Sequence, residues 1–139
     1  YDPVLSGNEV ALEGFHVPLV SLNALLSQSD AVTLHLPLLP ETKGLFNKDV
    51  LSQMKPGSCL INTARGGIVD ELALAECLRS GHLGGAALDV FSSEPAKDLS
   101  HLSGIENIIL TPHIAGVTHE SNDRVSQMIA DEVNLLLGA

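Results

Sequence analysis

The chain has 139 residues and a mass of 14.6 kDa, with 45% hydrophobic and 17% charged residues and a mean hydropathy of +0.24. That is the size of one domain and the composition of a folded one, which excludes intrinsic disorder. Seventeen acidic against seven basic residues give a formal charge of -10, and one Tyr and three Phe offer little for base stacking, so nucleic-acid binding is disfavoured.

In chain order, the first clear element is a helix over Ser21 to Gln28, with Leu22, Leu25 and Leu26 at helical spacing behind a Ser cap. Ala31 to Leu36 follows as a buried strand, apolar and β-branched, closed by Pro37 and Pro40; it places His35 in the core. Asp49 to Met54 is a short helix ended by Lys55-Pro56-Gly57, and Ser58 to Ile61 is a strand that runs into Asn62-Thr63. Asp70 to Ser80 is an amphipathic helix with Leu72, Leu74, Ala75 and Leu78 turned inward and Gly81 as its stop. Gly84 to Val90 is the next strand, Ser103-Gly104 a turn, and Asn107 to Leu110 the last strand. Thr118 to Leu137 closes the chain as a long helix with apolar residues at Val125, Met128, Ile129, Val133, Leu136 and Leu137.

Strands alternating with helices or short turns predict an α/β fold, a doubly wound parallel sheet. No apolar run approaches the roughly 18 to 20 residues that cross a bilayer. Cys59 and Cys77 form no C-x-x-C pair, which fits reduced thiols in a cytoplasmic protein rather than a disulfide or a zinc site. The histidines His16, His82, His101 and His119 read as surface residues without metal-ligand spacing, so no metal is expected.

In open parallel sheets ligands bind beyond the carboxyl ends of the strands. Those positions supply a guanidinium (Arg65), two carboxylates (Asp89 and Glu94) and an imidazole (His113), all expected on one edge. An Arg between small residues in Ala64-Arg65-Gly66-Gly67 offers a planar fork to a carboxylate or a polarised carbonyl. A Glu beside a His raises its basicity and fixes its tautomer. Each alone has a plainer reading: Arg65 in a structural ion pair, Glu94 as a turn residue before Pro95, His113 as a satisfied core histidine.

The ordered set His35-Leu36-Pro37-Leu38, Pro40-Glu41-Thr42, Met54-Lys55-Pro56-Gly57, Asn62-Thr63-Ala64-Arg65-Gly66-Gly67, Leu88-Asp89-Val90-Phe91, Glu94-Pro95 and Thr111-Pro112-His113-Ile114-Ala115-Gly116 resembles the D-isomer-specific 2-hydroxyacid dehydrogenases. The resemblance implies a Rossmann-like NAD-binding domain in which the family's catalytic Arg, Glu and His fall on Arg65, Glu94 and His113. Glu94 lies 29 positions after Arg65, and His113 19 after Glu94. It further implies cofactor contacts from Asp2, Pro37, Thr42, Thr63, Ala64, Arg65, Asp89, His113, Ala115 and Gly116. Asp2 would take the ribose hydroxyls and favour NAD over NADP, and Asp89 the carboxamide.

No G-x-G-x-x-G occurs in the chain, and only one residue precedes Asp2. The expectation is therefore a partial dinucleotide-binding domain over residues 1–139, lacking its first strand, its glycine-rich turn and the substrate domain, and inactive alone. The parent is expected to be a homodimeric enzyme moving hydride between NAD and C2 of a small 2-hydroxy or 2-keto acid. Parts of the sequence look like phosphoglycerate dehydrogenases, others like members acting on sulfolactate or on glyoxylate and hydroxypyruvate. The alternative is a non-catalytic relative, a sensor or corepressor that binds NAD.

Overall fold

The computed structural model describes residues 1–5 and 7–138, Leu12 by its backbone alone. Four parallel strands form the central sheet: β3 (Ala31–Leu34), β4 (Cys59–Asn62), β5 (Gly85–Leu88) and β6 (Ile108–Leu110), side by side in chain order. Ahead of them β1 (Glu9–Leu12) and β2 (Phe15–Pro18) pair as an antiparallel hairpin. This hairpin is not among the elements the sequence predicts; its signal is the two-residue Glu13-Gly14 link, with Gly14 at φ 79. Helices α1 (Leu22–Gln28), α2 (Lys48–Ser52) and α3 (Glu71–Arg79) lie between the strands, and α4 (His119–Leu137) follows them. The predicted α/β parallel sheet is thus the observed architecture.

Each helix starts where the sequence supplies an acceptor for its free N–H groups. Ser21 Oγ accepts from Ala24 N, Asn47 Oδ1 from Asp49 N and Val50 N, and Asp70 Oδ1 from Leu72 N and Ala73 N. The core joins Leu26, Val32, Leu34, Leu51, Met54, Leu60, Leu74, Leu78, Leu83 and Leu88 into one cluster. Burying a side chain such as Leu74, fully removed from solvent, contributes about 1.5 to 3 kcal/mol.

Three sequence expectations need correction. Leu72 is not inward but 64% exposed. At about 100° per residue the buried residues Ala73, Leu74, Ala75, Cys77 and Leu78 form a broad arc centred on Leu74, and Leu72 falls outside it on the opposite side of the helix. His35 is not in the core: β3 stops at Leu34, and the exposed imidazole shares a hydrogen bond with Thr33 Oγ1 at 3.1 Å. His101 is not a free surface residue; its Nε2 meets Glu71 Oε2 at 3.0 Å, with the two side chains 21% and 12% exposed.

The last helix, α4, buries none of its residues, and its apolar stripe from Val125 through Leu136 lies open to solvent. Among the described residues no helix is long and apolar enough to cross a membrane.

Candidate functional site

Because β4, β5 and β6 are parallel and in register, with Asn62 beside Leu88 and Leu88 beside Leu110, their carboxyl ends share one edge. The loops after them carry Arg65, then Asp89 and Glu94, then His113. The structure brings these candidate residues to that edge and links their loops through contacts.

The first loop is shaped from below by Asn62, a buried side chain. Its Nδ2 donates to Arg65 O (3.0 Å) and its Oδ1 accepts from Ala64 N (3.1 Å), so both halves of the amide hold the loop. Gly66 then passes against Phe91: a Cβ on Gly66 would lie 1.7 Å from the Phe91 carbonyl oxygen, so only glycine fits. The Arg65 side chain is exposed, donates from Nη1 to Ala64 O (2.6 Å), and has no carboxylate partner among the described residues. Its fork is available to an anion.

Asp89, 3% exposed, accepts from one hydroxyl and two backbone N–H groups. Oδ1 accepts from Thr111 Oγ1 (2.5 Å) and Ile114 N (2.9 Å), and Oδ2 from Ala115 N (2.8 Å). Burial pushes its carboxyl up, but the Thr111 hydroxyl, the Ile114 and Ala115 N–H groups and the nearby His113 outweigh that and hold it below the usual carboxylate range. These bonds straddle His113, the one non-glycine residue with positive φ among the described residues, at 56°. A non-glycine residue in the left-handed region persists where surrounding bonds fix it, and Asp89 supplies them.

The imidazole of His113 meets Glu94, with Nδ1 to Oε2 at 2.6 Å. The other oxygen, Oε1, accepts from Phe91 N at 2.9 Å. Hydrogen bonds from His113 first and Phe91 second hold the Glu94 carboxyl below its ordinary value. An ionised carboxylate only accepts, so Nδ1 carries a proton; in the neutral ring the lone pair then lies on Nε2, which has no partner among the described residues. The side chains of His113 and Glu94 are 50% and 35% exposed. Beside them opens a mostly apolar cavity of about 470 Å³ lined by Phe91, Pro95, Leu99, Leu110 and Pro112.

The remaining candidates divide. Thr63, Ala115 and Gly116 are exposed along the same edge, and nothing lies within 4 Å of where a Gly116 Cβ would be. Asp2 borders a cavity of about 160 Å³ with Thr33, His35 and Leu36 at the end of β3; its Oδ1 accepts from Val4 N at 2.8 Å. Pro37 is exposed, whereas Thr42 is buried and its Oγ1 is committed to the turn, donating to Pro37 O (2.7 Å) and accepting from Leu39 N (2.8 Å). Sequence reasoning gave no role to Asn62 or Thr111; the signal was their place at or beside a strand end. Among the described residues no three His, Cys, Asp or Glu gather as metal ligands.

Residues 1–115 match the family described as D-isomer specific 2-hydroxyacid dehydrogenase, NAD binding domain. The chain is 60% identical over 117 residues to (S)-sulfolactate dehydrogenase of Chromohalobacter salexigens, covering 84% of this chain and 38% of that protein. It is 43% identical over 137 residues to D-3-phosphoglycerate dehydrogenase of Mycobacterium leprae, covering 99% of this chain and 25% of that one. Among solved structures it is similar to an NAD-dependent formate dehydrogenase from Staphylococcus aureus in complex with NAD, with a TM-score of 0.72 and 44% identity over 85% of this chain and 36% of that one. The chain thus spans well under half the length of these relatives.

Proposed function

This chain belongs to the D-isomer specific 2-hydroxyacid dehydrogenases, as their NAD-binding domain, and on that premise we propose that it carries the proton-transfer and anion-binding groups of an NAD-dependent oxidoreductase acting on a small 2-hydroxy acid. The observation that carries this reading is the Glu94–His113 pair: its 2.6 Å contact leaves Nε2 as the unpartnered ring nitrogen on the edge where Arg65 has no carboxylate partner among the described residues.

A dinucleotide suits this edge by its donor and space chemistry. Thr63, Ala64, Ala115 and Gly116 are small, Gly116 faces open space, and Asp89 has used three of about four acceptor positions, leaving one for a carboxamide N–H. Asp2 and Pro37 would meet the adenosine half, with Thr42 shaping the turn below Pro37. Asp2 has one oxygen engaged by backbone and the other without a partner among the described residues; that oxygen can accept from a ribose hydroxyl and would repel a 2'-phosphate, which favours NAD. Bound NAD supplies the hydride acceptor, and in its reduced form the donor.

The chain's own residues do the rest. Arg65 pairs with the substrate carboxylate and the C2 oxygen, fixing which face of C2 is turned to the hydride path. Nε2 of His113 takes the hydroxyl proton in oxidation and returns it in reduction. Glu94 keeps the ring in the tautomer that leaves Nε2 free and stabilises the imidazolium that forms. The identity to sulfolactate and phosphoglycerate dehydrogenases supports a small 2-hydroxy acid with a second anionic group; glyoxylate and hydroxypyruvate follow as candidates. The reading extends to a cytoplasmic homodimer, supported by the free thiols Cys59 and Cys77 and by the open apolar stripe of α4.

The test is NADH oxidation with a panel of 2-keto acids by the protein translated from its whole reading frame, as wild type and His113→Ala. The expected result is turnover with one acid that falls at least about a hundredfold in the variant, the scale of a lost general acid-base group. NADH binding without turnover on any acid would overturn the enzyme reading in favour of an NAD-binding sensor.

A further inference from the structure

Outside the edge described above, one carboxylate reaches toward it from α3. Glu71 is the first residue of that helix, six positions after Arg65, where the helix dipole favours negative charge. Its Oε1 accepts from both the N–H and the hydroxyl of Ser92, each at 2.7 Å, and its Oε2 meets His101 Nε2 at 3.0 Å. Its side chain is only 12% exposed and that of His101 21%, so the carboxylate is largely withdrawn from solvent while Ser92 stands at the surface.

The placement of Ser92 gives the contact its meaning. The residue before it, Phe91, donates its N–H to Glu94 Oε1 and presses its carbonyl against Gly66, next to Arg65. Two residues after Ser92 stands Glu94 itself. At the far end of the segment, Arg79 Nη2 donates to His101 O at 2.7 Å, so residues 92 to 101 are pinned to α3 at both ends. We propose that Glu71 is a positioning residue for the Glu94–His113 pair, tying the turn that bears Glu94 to the helix that follows Arg65 so that both loops keep one register.

Removing this carboxylate leaves the Ser92 N–H without its acceptor and one end of the segment unpinned. The Phe91 N–H bond to Glu94, one residue away, is the next to loosen. The consequence for turnover rests on the function proposed above; the consequence for Glu94 does not.

Carbon-13 NMR of the Glu94 side-chain carboxyl in the 139-residue chain, followed across acid pH, tests this without any reaction. Glu71→Ala should move the Glu94 titration midpoint upward, toward an ordinary carboxylate. Glu71→Gln, whose amide oxygen can still accept from Ser92, should restore most of the wild-type position. Should Glu71→Ala fail to fold, Ser92→Ala, which removes one of the two bonds, should give a smaller upward shift. A Glu94 midpoint unmoved in folded Glu71→Ala, or failing that in Ser92→Ala, overturns the proposal.

In the protein from its whole reading frame, Glu71→Ala should lower kcat about tenfold with the KM for NAD within about twofold, and should cost nothing further in a His113→Ala background. A wild type without turnover would sink the enzymatic reading and leave the NMR result to decide the positioning role.

Discussion

Replacing Gly66 with alanine tests whether the loop bearing Arg65 is locked against the turn bearing Glu94. The added Cβ would lie 1.7 Å from the Phe91 carbonyl oxygen and 2.2 Å from its carbon, where real contacts begin at about 3.0 Å. Both sides of the clash are backbone, so no side chain can rotate away. Overpacking costs about 1 to 3 kcal/mol even where side chains yield, and displacing the loop also loosens the two Asn62 bonds, each worth about 1 kcal/mol. The sum is about 3 kcal/mol or more, which at about 4 °C per kcal/mol for a chain of this size lowers Tm by roughly 12 °C. Gly66 does not have positive φ, so without the clash alanine would stabilise slightly by restricting the unfolded chain. The sign of the effect therefore separates the two accounts. Thermal melts followed by far-UV circular dichroism measure it, with Gly116→Ala, which meets open space, as the control. A Gly66→Ala chain melting within about 2 °C of wild type would refute the locked-loop argument.

Acid should destabilise the fold through the same network. Glu94 is held low by His113 and the Phe91 N–H; Asp89 is raised by burial but lowered more by its three donors and His113. In both cases the unfolded chain takes up the proton first as pH falls. Their contribution is therefore complete above their unfolded values, near 4, and is lost as pH drops through their folded values. Urea unfolding at stepped pH should show stability falling below about pH 4, less steeply in Asp89→Asn; a flat profile in wild type would contradict the assignment. Across α3, Leu74→Ala should cost about 2 to 5 kcal/mol in urea unfolding while Leu72→Lys stays within about 0.5 kcal/mol. Equal losses would mean the helix presents a different face from the one described.

The strand-end rule made the site's composition legible, because punctuation by Pro37, Lys55-Pro56-Gly57 and Gly81 marks where elements stop and a parallel sheet sends successive carboxyl ends to one edge. The pairing of Glu94 with His113 was legible through the family resemblance, since 19 residues of separation say nothing of a 2.6 Å contact. Local pattern misplaced Leu72, because its apolarity was read without its angle on the helix, which sets it opposite the centre of the buried arc. It overran β3 into His35 because apolar neighbours on both sides conceal where pairing ends. The latch of Glu71 on Ser92 and His101 had no sequence signal, as its partners stand 21 and 30 positions away with no periodicity joining them.

The two depressed carboxylates of this edge also differ in kind, and the difference follows from what each one touches. Asp89, almost wholly buried, accepts from Thr111, Ile114 and Ala115, so it fixes the path of the chain around His113. Left-handed backbone at a non-glycine residue costs on the order of 1 to 3 kcal/mol, and three bonds to an ionised group, each stronger than a neutral one, are enough to offset that. Glu94, more exposed, bonds the ring itself and so fixes its tautomer rather than its place. Neither can replace the other: a carboxylate bound to the ring alone leaves the backbone free to relax from φ 56, and one bound to the backbone alone leaves the ring free to turn. Phe91 makes the two loops one structure, giving its N–H to Glu94 and its carbonyl face to Gly66. An imidazole with an unpartnered Nε2 and a guanidinium with no carboxylate partner among the described residues are thereby held on one edge by the backbone between them.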